Sequence, residues 1–264
     1  MKISTVAVNK GGVGKTATAV HLAFAAAERQ VSTVFLDLDE QGNSTYTLGA
    51  HLAEGISATM LFTPDGANEI RAYFAAHPVK PGITLIGSDD VLKEVDRYPV
   101  ADIAQNFMAS IKALAEAGFD LCLVDTPNGG GSIPQCALAV SDYVLSPVEV
   151  EHYSIQGIRK LVTTIGNIKF GNIDGLPANP NLHWLGMLPN KVDLRNPRHV
   201  TNLAALKAEH NDYVVPLTVG LRSTIADAVA SCVPVWKIKK TTARLASSEV
   251  RAVANYVFET MEIN

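Results

Sequence analysis

The sequence predicts an α/β protein in which a doubly wound, mostly parallel sheet is flanked by helices. Short apolar runs alternate along the chain with longer stretches of helix-forming residues. A glycine-rich loop directly follows the first apolar run, which is where a parallel sheet places its ligand sites. Since 47% of the 264 residues are hydrophobic, we expect residues 1–264 to form one domain with a large core.

The apolar runs predict six strands, and stretches of helical composition follow them. The strands are predicted at Ile3–Val8, Thr33–Asp37, Thr84–Ile86, Asp120–Asp125, Tyr143–Ser146 and Trp184–Leu188. The helices are predicted at Gly14–Arg29, Ser57–Phe62, Ala101–Ala117, Ser132–Val140, Ser154–Ile168, Pro197–Glu209, Ser223–Ala230 and Thr242–Thr260. The pattern is weakest between residues 50 and 100, and it assigns that segment no role.

The glycine-rich stretch 10–16 predicts a phosphate-binding loop. Glycine lets backbone N–H groups turn towards phosphate oxygens without side-chain clashes, and the start of the next helix attracts anions. In such a loop Lys15 reaches the β- and γ-phosphates, and the Thr16 hydroxyl ligates Mg²⁺. The ordinary pattern has glycine where this chain has Asn9, and it gives no role to Lys10. The alternative is a glycine-rich turn with two solvated lysines. The predicted nucleotide contacts are Lys10, Gly11, Gly12, Val13, Gly14, Lys15, Thr16 and Ala17.

Carboxylates follow two of the predicted strands. Asp37 and Asp39 are two residues apart, so strand alternation places them on one face. Asp125 ends an apolar strand, as does the aspartate that holds Mg²⁺ in many nucleotide hydrolases. A positioned carboxylate and a metal suffice for phosphoryl transfer. The alternative for the first segment is a strand-end turn rich in Asp and Asn, and for the second a core strand that ends in a turn.

Asn190 follows the last predicted strand and is a candidate contact for the adenine edge. The string Asn190-Lys191-Val192-Asp193 is also similar to the guanine-reading Asn-Lys-x-Asp of GTPases. An ordinary turn residue is the third interpretation, and the sequence does not decide among them.

Net charge, cysteine spacing and the length of apolar runs argue against several classes of protein. The net charge is −4, but residues 181–251 hold ten basic and five acidic side chains, which permits a basic face on an acidic protein. The three cysteines show no CxxC spacing, which indicates a reducing compartment and argues against a zinc site. No apolar run has membrane-spanning length, and the start of the chain does not resemble a signal peptide.

Together these motifs resemble the deviant Walker A P-loop NTPases, the family that contains ParA and MinD. Its hallmark is the extra lysine, so the resemblance implies that Lys10 contacts the partner subunit's nucleotide in an ATP-sandwich homodimer. It also implies that Asp39 activates the attacking water. The implied catalytic residues are Lys10, Lys15 and Asp39, and the implied Mg²⁺ residues are Thr16, Asp37 and Asp125. Two departures from the family are Glu40, where proline is common, and the switch II segment Asn128-Gly129-Gly130-Gly131.

Further segments resemble the plasmid partition ATPases of the IncC/ParA type, in the small form without an N-terminal helix-turn-helix. They are Tyr143–Pro147, Tyr153–Ile158, Asn196–His199, Val219–Ala228 and Val233–Lys240. The resemblance implies a cytoplasmic, nucleoid-associated dimer that binds double-stranded DNA without sequence preference when it holds ATP. A ParB-family centromere-binding protein would stimulate its slow hydrolysis. The implied DNA contacts are Arg195, Arg198 and Arg222, and this chain's own candidates are Lys237, Lys239, Lys240 and Arg244.

Other functional classes fit the sequence less well. A MinD-like positioning ATPase needs a basic amphipathic C-terminal helix that enters lipid, whereas residues 256–264 are acidic without lysine, so we expect no membrane contact. A nitrogenase-like reductase needs cluster-binding cysteines, and the spacing here is wrong. An ATP-dependent ligase of the dethiobiotin synthetase kind would bind a small substrate and turn over without DNA.

Overall fold

The fold is built around one six-stranded sheet in which every neighbouring pair of strands is parallel. The computed structural model describes residues 1–8, 10–150 and 155–263, without the side chains of residues 155–158. The strand order is β3-β2-β4-β1-β5-β6. The strands are β1 (Lys2–Val6), β2 (Ser32–Asp37), β3 (Gly82–Ile86), β4 (Leu121–Asp125), β5 (Tyr143–Glu149) and β6 (His183–Asn190). All six predicted strands are confirmed, and so is the doubly wound α/β class.

Helices cover both faces of the sheet. They are α1 (Lys15–Glu28), α2 (Asn43–Thr47), α3 (Gly66–Ala76), α4 (Val100–Glu116), α5 (Ser132–Val140), α6 (Ile155–Phe170), α7 (Pro197–His210), α8 (Ser223–Ala230) and α9 (Ala243–Thr260). Side chains of α3 to α7 pack in one apolar cluster against the sheet, and those of α1, α8 and α9 pack in the other. The strands are buried on both faces, as their unbroken apolar composition requires.

The segment between residues 50 and 100 differs from the prediction. Ser57–Phe62 is not an α-helix, because only a 3₁₀ turn forms at Thr59–Phe62. The prediction also missed α3, whose Ile70 and Phe74 are buried one helical turn apart and pack with α4. The Pro-Asp-Gly sequence at its start is typical of a turn and hides this helix, which packing against α4 stabilises. The predicted start of α6 at Ser154 lies outside the described residues.

The strand order sets where a ligand can lie. The central strand β1 has β4 on one side and β5 on the other, so the connections reverse direction at β1. Open parallel sheets bind ligands at such a point, beyond the carboxyl ends of the strands. Four segments meet at this edge, and they are the loops that follow β1, β2, β4 and β6.

Candidate nucleotide site and basic face

The loop after β1 has the backbone of a phosphate cradle. Gly12 and Gly14 adopt positive φ angles of 80° and 92°, where a residue with a side chain is strained. Helix α1 begins at Lys15 without a side-chain cap, so its first N–H groups are available to a ligand. Lys10, Gly11 and Gly12 are exposed. The predicted loop is therefore present between strand and helix, in the context that the motif requires.

Two side chains of the loop point to different partners across the site. Lys15 is only 6% exposed, and its ammonium donates a hydrogen bond to Oδ1 of Asn128. Burial lowers the pKa of Lys15, while the carboxylates of Asp125 and Asp39 oppose that shift. The Thr16 hydroxyl donates to Oδ2 of Asp125 over 2.8 Å. The chain thus brings together Lys15, Thr16 and Asp125, as the sequence predicts.

Asp125 is the carboxylate best suited to a metal ion. It is fully buried, and its Oδ2 accepts hydrogen bonds from Thr16 and from Ser44, the latter over 2.7 Å. Its Oδ1 has no hydrogen-bond partner among the described residues. Burial, with a smaller contribution from Asp37, raises the pKa of Asp125 to about 7. A buried carboxylate oxygen that lacks a donor, beside a threonine hydroxyl, fits the oxygen ligands that Mg²⁺ takes in P-loop sites.

Asp37 lies directly beside Asp125, but both of its carboxylate oxygens accept hydrogen bonds from the chain. The two residues are register partners on the neighbouring strands β2 and β4. Oδ2 of Asp37 accepts from the Thr45 amide over 2.6 Å and from the Thr45 hydroxyl over 2.7 Å, and Oδ1 accepts from the Asp39 amide. Burial raises the pKa of Asp37 to about 6. Asp37 therefore holds the loop that carries Asp39, and its predicted share in the Mg²⁺ shell stays a prediction.

Asp39 faces an open cavity rather than the sheet. Its Oδ1 accepts from the Gln41 amide over 3.0 Å, which fixes the carboxylate at the start of the loop. The cavity has a volume of about 360 Å³, and its walls include Asp39, Lys93, Asp96 and Asn128. The role predicted for Asp39, to orient or activate the attacking water, stays a prediction.

Asn190 and the residue after it clamp the phosphate loop. Nδ2 of Asn190 donates to the carbonyl of Val13 over 2.8 Å, and its Oδ1 accepts from the Lys191 amide over 2.9 Å. The Lys191 ammonium donates to the carbonyl of Gly12 and forms an ion pair with Glu149 at 3.0 Å. Both polar atoms of the Asn190 amide are thus engaged with backbone. Its contact with adenine stays a prediction.

The predicted DNA residues gather around the start of α9. Arg195 and Arg222 line one cleft of about 750 Å³, which Thr242 and Leu245 also border. Lys239, Lys240 and Arg244 line a second cleft of about 350 Å³ on the other side of the same helical turn. Arg198 and Lys237 are exposed but border neither cleft.

Three of these basic side chains already have carboxylate partners. Arg195 donates to both oxygens of Asp193, at 2.9 and 3.0 Å, and this bond lowers the pKa of Asp193 to about 2. Arg222 donates to Oε1 of Glu249 over 2.8 Å. The ammonium of Lys240 pairs with Asp227. The pairs of Arg195 and Lys240 are largely exposed and contribute little stability, whereas the pair of Arg222 with Glu249 is partly buried.

Comparison with known proteins decides the family. The family profile described as "AAA domain" matches residues 1–176. Protein IncC of Escherichia coli is 50% identical over 266 residues, which cover all of this chain and 71% of that protein. The chromosome-partitioning ATPase Soj of Thermus thermophilus is 30% identical, covering 84% of this chain and 82% of its own. The chain belongs to the ParA family of partition ATPases. It is homologous to IncC, Soj and ParA, and the sequence-based resemblance is confirmed.

Solved structures show the same ParA-family fold. The ATP complex of a McdA variant from Cyanothece has a TM-score of 0.75 and 21% identity, covering all of this chain and 97% of that one. A plasmid partition protein of Borrelia burgdorferi B31 bound to AMPPNP has a TM-score of 0.73 and 20% identity, with coverage of 99% and 98%. Cobyrinic acid a,c-diamide synthase of Mycobacterium smegmatis, with an ATP analogue and magnesium, scores 0.70 at 22% identity, with coverage of 98% and 97%.

The ParA-family fold and the site agree on ATP and Mg²⁺ as the cofactors. The Thr16 hydroxyl donates to Asp125, whose other carboxylate oxygen has no hydrogen-bond partner among the described residues, and this arrangement fits a bound Mg²⁺. Within the described ranges 1–8, 10–150 and 155–263, no helix is both long and apolar enough to span a membrane.

Sequence reasoning missed several residues of this ParA-family site. Ser44 donates to Asp125 and Thr45 donates to Asp37, and the only sign of this in the sequence is that both residues follow the 37–43 segment. Asn128 was visible only as a departure from the family pattern, and Lys191 only as part of a GTPase-like string. Glu149 lies at the end of β5, and no pattern in its surroundings marks it.

Proposed function

We propose that this ParA-family chain is a DNA partition ATPase that acts on plasmid DNA as an ATP-gated dimer. In the ATP state the dimer binds double-stranded DNA without sequence preference, in the cytoplasm and on the nucleoid. A ParB-family centromere-binding protein stimulates its Mg²⁺-dependent hydrolysis and so releases it from DNA. The observation that supports this most is the 50% identity with IncC over the whole chain, which includes the basic segments around α9.

The proposed chemistry uses residues that the fold brings to one edge. Lys15 would neutralise the β- and γ-phosphates, and the N–H groups of residues 11–16 would hold them. Thr16 and Asp125 would hold Mg²⁺, which supplies charge for the leaving phosphate oxygens. Asp39 orients the attacking water from its place in the 360 Å³ cavity. Lys10 is exposed at the loop entrance, where it can reach the nucleotide of a second subunit.

The proposed DNA surface consists of the two clefts around the first turn of α9. Arg195 and Arg222 belong to one cleft and Lys239, Lys240 and Arg244 to the other. Side chains that contact only phosphates give affinity without sequence preference, and this affinity falls steeply with salt. Arg195 and Arg222 donate to Asp193 and Glu249. To contact DNA, each guanidinium group would exchange its carboxylate partner for a DNA phosphate.

Two other classes predict different behaviour. A MinD-like ATPase inserts a C-terminal amphipathic helix into lipid, whereas the apolar face of α9 is occupied in the core by Val250, Val253, Val257 and Phe258. An enzyme that acts on a small molecule shares the fold, as the cobyrinic acid synthase does, so the fold does not separate it from a partition ATPase. DNA binding that depends on the nucleotide separates them.

The decisive experiment measures binding to arbitrary double-stranded DNA with no nucleotide, with ADP and with a slowly hydrolysed ATP analogue, over a salt series. We expect binding with the ATP analogue alone, and affinity that declines linearly with salt on logarithmic axes. Arg222→Ala should lose this binding while it keeps ATP-dependent dimerisation. The matched control is Arg159→Ala, an exposed arginine on α6 in the opposite helical layer, and it should bind as the wild type does. DNA binding that ignores the nucleotide would refute the proposal.

A further inference from the structure

Lys15, the lysine proposed to bind phosphate, has a side-chain partner within the chain. Its ammonium donates to Oδ1 of Asn128, which lies in the loop after β4. The same amide group lies against the phosphate loop, since a Cβ atom on Gly11 would be 3.2 Å from Nδ2 of Asn128. Asn128 therefore spans the cradle and occupies the side from which a terminal phosphate would approach Lys15.

The backbone next to Asn128 can move, but only over a short stretch. Gly129 has a φ angle of 102°, and no atom lies within 4 Å of the position of a Cβ at Gly129 or Gly130. The far end of the stretch is tethered, because Oδ1 of Asp96 accepts from the Ser132 amide over 2.9 Å at the start of α5. A displaced Asn128 can thus be accommodated by residues 128–131 alone.

We propose that Asn128 is a positioning residue that holds the Lys15 ammonium before nucleotide binds and releases it to the γ-phosphate. The proposal rests on the ATP site of the proposed function. A phosphate oxygen carries charge and is a stronger acceptor for an ammonium group than an amide oxygen is. An ammonium group has three donors, but the Asn128 amide contacts Lys15 and also fills the space beside Gly11, where the γ-phosphate must enter, so the γ-phosphate displaces the Asn128 oxygen. ADP brings only its β-phosphate, which the backbone N–H groups of the loop also hold, and therefore only the triphosphate has to break the bond.

This competition predicts opposite effects of two substitutions on one ratio, the affinity for an ATP analogue divided by that for ADP. Asn128→Ala removes the competing oxygen, so the ratio should rise by about threefold to tenfold, the size of one hydrogen bond. Asn128→Asp replaces the amide with a carboxylate that binds Lys15 more tightly and repels the γ-phosphate. The ratio should then fall by about tenfold or more.

The test is calorimetric titration of each variant with ADP and with a non-hydrolysable ATP analogue, both with Mg²⁺ and without DNA. Gln135→Ala is the matched control, because Gln135 binds the Gly130 carbonyl of the same loop without touching Lys15. Its ratio should equal that of the wild type. Asn128 lies on an exposed loop, so we expect all three variants to fold.

The outcomes separate this proposal from a structural role and from the proposed function. If Asn128→Ala lowers the ratio as Asn128→Asp does, Asn128 is itself a γ-phosphate ligand and the proposal is wrong. If neither substitution moves the ratio, or if Gln135→Ala moves it equally, the proposal also fails. In all these cases the wild type still binds ATP; only a wild type that binds neither nucleotide contradicts the ATPase function itself.

Discussion

His21 offers a test of how the nucleotide helix is joined to the basic segment. It lies on α1 and is 1% exposed, with Nδ1 at 2.6 Å from the Ala17 carbonyl and Nε2 at 3.1 Å from the Val235 amide. The neutral ring satisfies both partners if Nδ1 carries the proton and Nε2 accepts. The aromatic rings of Phe24 and Trp236 lie 6.1 and 5.9 Å away. Burial lowers the pKa of His21 to about 4.

The sign of the pH effect follows from that shift. Above pH ~6.5, the unperturbed value, His21 is neutral in both states, and the full stability is present. As the pH falls, the unfolded chain binds a proton there and the native state does not, until the pH approaches about 4. At about 1.4 kcal/mol per pH unit, His21 should remove about 2 kcal/mol of unfolding free energy by pH ~5.

The assay is urea unfolding of the wild type and of His21→Gln at pH ~7.5 and ~5, followed by tryptophan fluorescence. Glutamine does not titrate. Between these pH values the unfolding free energy of the His21→Gln variant should therefore fall by about 2 kcal/mol less than that of the wild type. Asp37 and Asp125 titrate with the opposite sign, and they cancel because both proteins contain them.

A control separates titration from plain destabilisation. Val20→Ala, a buried substitution on the same helix, should lower stability equally at both pH values, because it removes neither a titrating group nor a ring that contacts His21. Identical pH dependence in the wild type and in His21→Gln would show that the buried imidazole is not protected from protonation, and the reasoning would be wrong.

Three further predictions concern the site itself. Gly14→Ala should abolish ATP binding in a calorimetric titration and cost about 2 kcal/mol or more in urea unfolding, because φ is 92° and a methyl group there would overlap the Asn190 amide. Normal ATP affinity would contradict this. Asp39→Ala should bind ATP, show at least about a hundredfold lower turnover in a phosphate-release assay, and remain on DNA in the ATP state; wild-type turnover would refute the water-orienting role. Asp96→Ala should cost about 1 kcal/mol in urea unfolding, since the Ser132 amide at the start of α5 loses its acceptor; an unchanged value would show that this cap contributes nothing.

Parts of the molecule follow from local sequence, and these were predicted well. The strands are continuous apolar runs buried on both faces. The Lys10–Thr16 loop is recognised from its own glycines and lysines, which are the residue types that a phosphate-binding loop needs. Asp125 was identified because it ends such a run. Each of these features depends on residues close together in the chain, which is why the sequence alone reveals them.

Other parts depend on contacts between distant segments, and these were missed. Helix α3 begins in a turn-like Pro-Asp-Gly sequence and is stabilised by packing against α4, so its local sequence does not predict it. The clamp of Lys191 on Gly12 joins residues 179 positions apart. The contact of Asn128 with Lys15 forms only because β4 places the two residues opposite each other, although they are far apart in the chain. Side-chain polarity at such positions resembles that of an ordinary loop until the fold is known.

The clamp on the phosphate loop makes the order of folding matter for ATP affinity. The loop lies at the start of the chain, whereas the Asn190 amide that closes on the Val13 carbonyl comes 177 residues later. Such a long connection closes late, because its entropy cost must be met before the contact forms. A chain still emerging from the ribosome with only β1 to β5 therefore lacks the clamp. We therefore expect tight ATP binding only after β6 has joined the sheet, so a partly synthesised chain should not compete with the complete protein for ATP.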